Sequence, residues 1–116
     1  MPRVNSPLDI TYETQGNCLI VHLRGMLDGN TCPQFESFVR SETVANTDVV
    51  VVNLRGLQYL SSAGVSIFIL LQHHKGGMDK VRLAQPGASV AEVFKLLGLD
   101  ALFTIHTSLE DALQSL

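Results

Sequence analysis

The sequence predicts an α/β domain in which a mixed β-sheet of about five strands carries helices packed mainly on one face. Residues 49–52 are four consecutive valines, and such a short apolar run is typical of a strand buried on both faces. A strand and then an amphipathic helix precede this run. A helix between two strands of one sheet implies a crossover connection, which makes the two strands parallel. The valine strand is therefore expected inside the sheet, with a neighbour on each side.

The chain is expected to begin with a loose lead-in over residues 1–8 and then an antiparallel hairpin. Residues 10–14 alternate apolar and polar side chains, and residues 18–23 form a second apolar run. Gly16 and Asn17 lie between the two runs. Both residue types adopt the positive φ that a tight hairpin turn needs.

The first helix follows a loop, and Asn30 or Thr31 is placed to cap it. Phe35, Phe38 and Val39 fall on one face of that helix at helical spacing. The next strand begins with the valines. Its end is expected at about residue 53, because residues 53–56 are a polar exit.

A continuous apolar block over residues 65–71 predicts a second helix, which Gly76 and Gly77 end. Strands are expected at 81–84 and 102–106. Ser89 is placed to cap the helix between them, and Thr107 or Ser108 the last helix. The third helix has its buried face at the spacing i, i+3, i+4, i+7: Val90, Val93, Phe94 and Leu97.

Composition and charge exclude several classes of protein. The 116 residues suit one domain over 1–116, and 46% of them are hydrophobic, which is typical of a globular, soluble chain. The net charge of −3, without a basic stripe, argues against nucleic acid as a partner. No apolar run approaches the roughly 18 residues of a membrane span, so we expect no direct membrane contact.

Two cysteines, Cys18 and Cys32, are too few and too far apart in sequence for a metal site. Free thiols suit a reducing compartment, so we expect a cytoplasmic protein. The sequence contains no G-x-S-x-G elbow and no glycine-rich phosphate loop. We therefore expect that the chain is no enzyme and needs no cofactor or metal.

The most informative stretch is the serine pair Ser61 and Ser62, which stands where the second helix begins. A helix N-terminus presents unpaired backbone N–H groups and favours negative charge. Ser62 is therefore either the helix N-cap or a serine that can be phosphorylated without unfolding the helix. Ser61 is the alternative site, or the cap that frees the Ser62 hydroxyl. Asp28, followed by Gly29, is either a turn residue or a partner contact.

Three stretches together resemble the STAS domain family of bacterial anti-sigma factor antagonists. They are Leu-Arg-Gly-Met-Leu-Asp at 23–28, Leu-Ser-Ser-Ala-Gly-Val at 60–65, and Val-Phe-Lys-Leu-Leu-Gly-Leu-Asp-Ala-Leu-Phe at 93–103. The resemblance runs from about residue 8 to residue 115, and it implies the STAS fold.

The resemblance also implies site residues. Aligning on Gly64 places Ser62 on the serine that is phosphorylated in many members, and Ser61 where those members have an aspartate. Asp28 matches an aspartate that the family uses at its partner surface. The implied phosphorylation site is Ser62, with Ser61 as second choice. The implied partner-binding residues are Asp28, Ser61, Ser62 and Gly64.

The resemblance implies an anti-sigma factor antagonist in a partner-switching pathway. Such a protein binds a serine-kinase anti-sigma factor or a related switch kinase. The kinase phosphorylates Ser62 with its own ATP and is released, and a serine phosphatase restores binding. The alternative interpretation, from another class, is a non-phosphorylated STAS accessory subunit of a lipid or anion transport complex.

Overall fold

The computed structural model describes residues 7–114, which form five strands and five helices. Two short 3-10 turns, Met78–Lys80 and Leu99–Ala101, lie ahead of the last two strands. No helix among the described residues combines the length and apolar character that crossing a membrane requires. The elements are β1 Leu8–Gln15, β2 Cys18–Leu27, α1 Cys32–Val39, α2 Glu42–Ala45, β3 Val49–Leu60, α3 Ser62–Lys75, β4 Val81–Ala84, α4 Ala88–Leu96, β5 Thr104–His106 and α5 Leu109–Gln114.

The five strands form one mixed sheet in the order β1-β2-β3-β4-β5. Strands β1 and β2 are the antiparallel hairpin that the sequence predicts, and Gly16 at its turn has φ +60. All later neighbours pair in parallel, because a helix joins each strand to the next. Of the predicted lead-in, residues 1–6 lie outside the described ones, whereas Leu8 already belongs to β1 and is buried.

The main core lies between the sheet and helices α1 to α4, and of the helices in the described residues α5 packs on part of the other face. Four phenylalanines connect the helices in this core, with successive ring centroids 5.2, 5.6 and 6.1 Å apart. The smaller core under α5 consists of Cys18, Ile20, Val51, Ala84 and Ala112. The phenylalanines, in order of contact, are Phe35, Phe68, Phe94 and Phe103.

The predicted end of the central strand at residue 53 is wrong, because β3 continues past it to the serine pair. Strand β3 contains one extra residue between the pairs His22–Asn53 and Arg24–Gly56, and a second irregularity follows before Tyr59. Such bulges bend a strand and re-aim its side chains. The polar side chains of the supposed exit therefore lie on the open face of a continuing strand.

Three further boundaries differ from the prediction. Two helices, α1 and α2, replace one, and at the break the Ser41 hydroxyl donates a hydrogen bond to the Phe38 carbonyl at 2.6 Å. Ser89 does not cap the third helix, because it lies inside α4, whose N-cap residue is Gly87. Strand β5 is only three residues long, because Leu102 and Phe103 form a turn and a bend after the 3-10 turn and the strand begins at Thr104.

Candidate functional site

The serine pair divides two tasks at the start of α3. Ser61 is the N-cap residue, and its Oγ accepts a hydrogen bond from the Gly64 N–H at 3.2 Å. Ser62 is the first residue of the helix and is exposed. Its hydroxyl makes no hydrogen bond with any residue from 7 to 114. The N-cap role considered for Ser62 is therefore wrong, and the role of Ser61 as the cap that frees the Ser62 hydroxyl is confirmed.

Asp28 lies beside the serine pair because β2 and β3 end together. Leu27 pairs with Leu60 in the parallel ladder, and the Ser61 N–H donates to the Leu27 carbonyl at 2.9 Å. The residues that follow, Asp28 on one strand and Ser61 on the other, therefore leave the sheet as neighbours. The structure brings together the loop after β2 and the first turn of α3.

The Asp28 carboxylate orders the loop that leads into α1. Its Oδ1 accepts hydrogen bonds from the backbone N–H groups of Asn30 at 2.9 Å and Thr31 at 3.2 Å. The Thr31 hydroxyl accepts from the Asp28 N–H at 2.9 Å and donates to the Met26 carbonyl at 2.9 Å. Thr31 makes no side-chain cap of its own for α1. The turn role of Asp28 is therefore confirmed, and its partner contact stays a prediction.

Cys32 follows this loop as the first residue of α1 and is buried. Burial raises the pKa of the Cys32 thiol, and the carboxylates of Asp28 and Glu36 raise it further. A thiol with a raised pKa stays protonated and is a poor nucleophile or metal ligand. In the described part of the chain, no three His, Cys, Asp or Glu side chains cluster as metal ligands would.

The electrostatics of α3 favour negative charge at Ser62. The first turn of the helix carries no acidic residue, and His73, His74 and Lys75 stand in its last turn. The partial positive charge of the helix N-terminus therefore faces Ser62 without a competing carboxylate from its own turn. The Ser66 hydroxyl donates to the Ala63 carbonyl at 2.6 Å, so it is engaged within the helix.

Two exposed apolar side chains next to the site are absent from the sequence predictions. Met26 and Tyr59 are paired neighbours on β2 and β3 and are 36% and 47% exposed, a large fraction for side chains of this size. They lie one residue before Leu27 and Leu60, the last residues of β2 and β3, which lead into the site. Aromatic and methionine side chains are enriched at protein interfaces. Alternation along β2 and β3 would have indicated them if both strands had been extended to their true ends.

Gly64 is buried and contributes to the site through packing. A Cβ atom at Gly64 would lie 2.8 Å from Leu27 Cγ and 2.9 Å from Leu60 Cδ1. Only glycine therefore lets the first turn of α3 approach the ends of both strands this closely. A direct contact of Gly64 with a partner stays a prediction.

We expect Gly64→Ala to lower the free energy of unfolding by about 1–3 kcal/mol, because the added methyl group overpacks the contact with two leucines. Urea denaturation measures this change. Gly29→Ala is the matched control, because a Cβ there meets nothing within 4 Å. Equal stability of Gly64→Ala and Gly29→Ala would contradict the tight packing at Gly64.

Comparison with known proteins gives the chain a family. Residues 9–112 match the STAS domain family. An anti-sigma-F factor antagonist of Mycobacterium tuberculosis, RsfB, is 23% identical over 106 residues, which cover 91% of this chain and 87% of that protein.

Two solved structures have the same fold. The crystal structure of an anti-sigma factor antagonist from Mycobacterium paratuberculosis superimposes with a TM-score of 0.85 at 22% identity, covering 97% of each chain. The Bacillus cell fate determinant SpoIIAA in its phosphorylated form superimposes with a TM-score of 0.68 at 18% identity, covering 92% of this chain and 98% of that one. The predicted STAS fold is confirmed. The chain belongs to the STAS domain family.

Proposed function

We propose that this protein is an anti-sigma factor antagonist that acts by binding and is regulated by phosphorylation of Ser62. One observation carries the proposal. In this STAS domain, Ser62 is the first residue of α3 and lies beside the loop that contains Asp28. Its hydroxyl is exposed and makes no hydrogen bond with the described residues, because Ser61 is the N-cap. The names of the relatives support the same role, and one of them has been solved in a phosphorylated form.

The proposed partner is a serine-kinase anti-sigma factor or a related switch kinase. It docks on the surface formed by the loop after β2 and the first turn of α3, where Met26 and Tyr59 add apolar area. Sigma factors act in the cytoplasm, and we place the protein there. The chain itself supplies a substrate hydroxyl and a docking surface, and the kinase supplies ATP and the catalytic groups.

Phosphorylation changes the charge of this surface without unfolding it. The γ-phosphoryl group of ATP passes to Ser62 Oγ, the hydroxyl proton passes to a base of the kinase, and ADP leaves. The product carries nearly two negative charges at a helix N-terminus, where they are tolerated. The same charges must be desolvated when the partner docks, so its affinity falls. A serine phosphatase hydrolyses the ester with water and restores the docking surface.

Mass spectrometry tests the proposal directly. Wild type, Ser62→Ala and Ser61→Ala are each incubated with ATP and every serine-kinase anti-sigma factor of the source organism. We expect one phosphate on wild type and on Ser61→Ala, and none on Ser62→Ala, because Ser62 is the member of the serine pair with a free and exposed hydroxyl. Ser61→Ala is the matched control, since it removes the adjacent hydroxyl and keeps Ser62.

Undiminished labelling of Ser62→Ala would place the site at Ser61 or elsewhere. Absence of label from every kinase would favour the non-phosphorylated accessory subunit of a lipid or anion transport complex. Circular dichroism of each variant shows whether it is folded, so a lost label is attributable to the missing hydroxyl.

A further inference from the structure

The face of the sheet that carries α5 is only half covered by it. Helix α5 packs over Cys18, Ile20 and Val51, on the half of this face where β2 and β3 begin. Farther along β2 and β3 the same face carries polar side chains, and no helix among residues 7–114 packs over them. This open half lies on the opposite face of the sheet from α3. Met26 and Tyr59, near the ends of the same strands, lie on the open face as well.

Strand pairing arranges the open half in two rows of side chains. The first row runs across β1, β2 and β3 as Thr11, His22 and Asn53. In the second row Asp9 pairs with Arg24, and Arg24 pairs with Gly56. A hollow of about 470 Å³ lies beside Gly56. This hollow is lined by Thr11, His22, Leu23, Arg24, Asn53, Arg55 and Gly56.

A hydrogen-bond network fixes the floor of this hollow. Asn53 Nδ2 lies 3.0 Å from His22 Nδ1, and His22 Nε2 lies 3.1 Å from Glu13 Oε2. If the Asn53 amide donates to Nδ1, then the imidazole donates from Nε2 to Glu13. The other end of the Asn53 amide accepts from the Arg55 N–H at 3.1 Å, which orients the bulge that carries Arg55.

Two arginines, Arg24 and Arg55, line the hollow. Neither Arg24 nor Arg55 makes a side-chain hydrogen bond or ion pair with any residue from 7 to 114. The stem of Arg24 lies directly over Gly56, since a Cβ there would be 2.6 Å from Arg24 Cγ. The missing side chain at Gly56 therefore leaves room for the stem of Arg24, and the guanidinium group remains available to a ligand.

The carboxylates on this face leave both guanidinium groups available. Glu13 is bound to His22. Asp9 stands across the ladder from Arg24 and has a partner of its own. A planar guanidinium binds phosphoryl oxygens through two parallel N–H groups, and two such groups around one hollow suit a doubly charged anion.

We propose that this hollow binds a phosphoryl anion, either free phosphate or a small phosphate monoester, between Arg24 and Arg55. The Thr11 hydroxyl lies in the same row as His22 and supplies a further donor. The volume exceeds that of one phosphoryl group, so a monoester has room for its organic part.

Nuclear magnetic resonance titration tests this site on the folded protein. Inorganic phosphate and glycerol phosphate are added in separate series, with chloride keeping the ionic strength constant so that general screening does not change. We expect saturable shifts of the backbone amides of Arg24, Arg55 and Gly56. Tighter binding of the ester would identify a monoester as the ligand, and equal or weaker binding of the ester would show that the hollow recognises the phosphoryl group alone.

Three variants decide whether the arginines carry the binding. We expect Arg24→Gln and Arg55→Gln each to weaken the affinity about tenfold or more, because each removes charged donors. Arg40→Gln is the matched control on the other side of the molecule, where Arg40 pairs with Glu36 at 3.0 Å, and it should bind like wild type. Absence of saturation in wild type, or equal weakening in all three variants, would overturn the proposal.

Discussion

Ser62→Asp is expected to stay folded and to bind the partner kinase about 100-fold more weakly than wild type, a loss of about 2.7 kcal/mol. The new carboxylate stands at the first residue of α3, where the helix N-terminus stabilises negative charge. A partner that covers this position must desolvate the carboxylate without a compensating positive group. Isothermal titration calorimetry measures the affinity, and circular dichroism verifies the fold.

Ser89→Asp is the control for this result. Ser89 is exposed in the first turn of α4, so the substitution adds the same charge at another helix start, away from Asp28. It should bind the kinase like wild type. An unfolded Ser62→Asp would contradict the helix-start argument. A folded Ser62→Asp with wild-type affinity would show that the partner does not cover Ser62.

Phe94→Ala is expected to lower the free energy of unfolding by about 3–5 kcal/mol. Phe94 is 0% exposed, and its ring centroid lies 5.6 Å from that of Phe68 and 6.1 Å from that of Phe103, both in edge-to-face contact. Truncation removes both aromatic contacts and leaves a cavity in the middle of the core. Chemical denaturation with urea measures the loss.

Leu96→Ala is the control in the same helix, because Leu96 is 76% exposed and loses little contact on truncation. We expect a change within about 0.5 kcal/mol for it. A loss of under about 1 kcal/mol for Phe94→Ala would show that this face of α4 is not core. Phe94→Leu retains apolar volume and should recover part of the loss.

Local patterns were sufficient to predict most of the elements. Four consecutive valines indicate the central strand, and Gly16 with Asn17 indicates the hairpin turn. Gly76 ends α3 with φ +90, as a glycine after a helix is expected to do. The Ser108 hydroxyl accepts from the Asp111 N–H at 3.0 Å, which confirms one of the two caps proposed for α5.

The errors arose where distant contacts override local pattern. Asn53 and Arg55 appear as an exit from the strand, yet pairing with β2 through bulges carries β3 on beyond them. Periodicity of two residues cannot predict bulges, because each extra residue shifts the pattern to the other face. Met26 and Tyr59 were overlooked because the predicted strands ended before reaching them.

The sequence by itself determined the α/β class, the strand order along the chain and the position of two hydroxyls at a helix start. Only the tertiary structure decided which hydroxyl is free. The Gly64 N–H turns toward Ser61 because α3 packs closely on the ends of β2 and β3, and that contact leaves Ser62 exposed. From the sequence alone either serine of the pair could be the helix cap. The backbone geometry that the distant strands impose distinguishes the two.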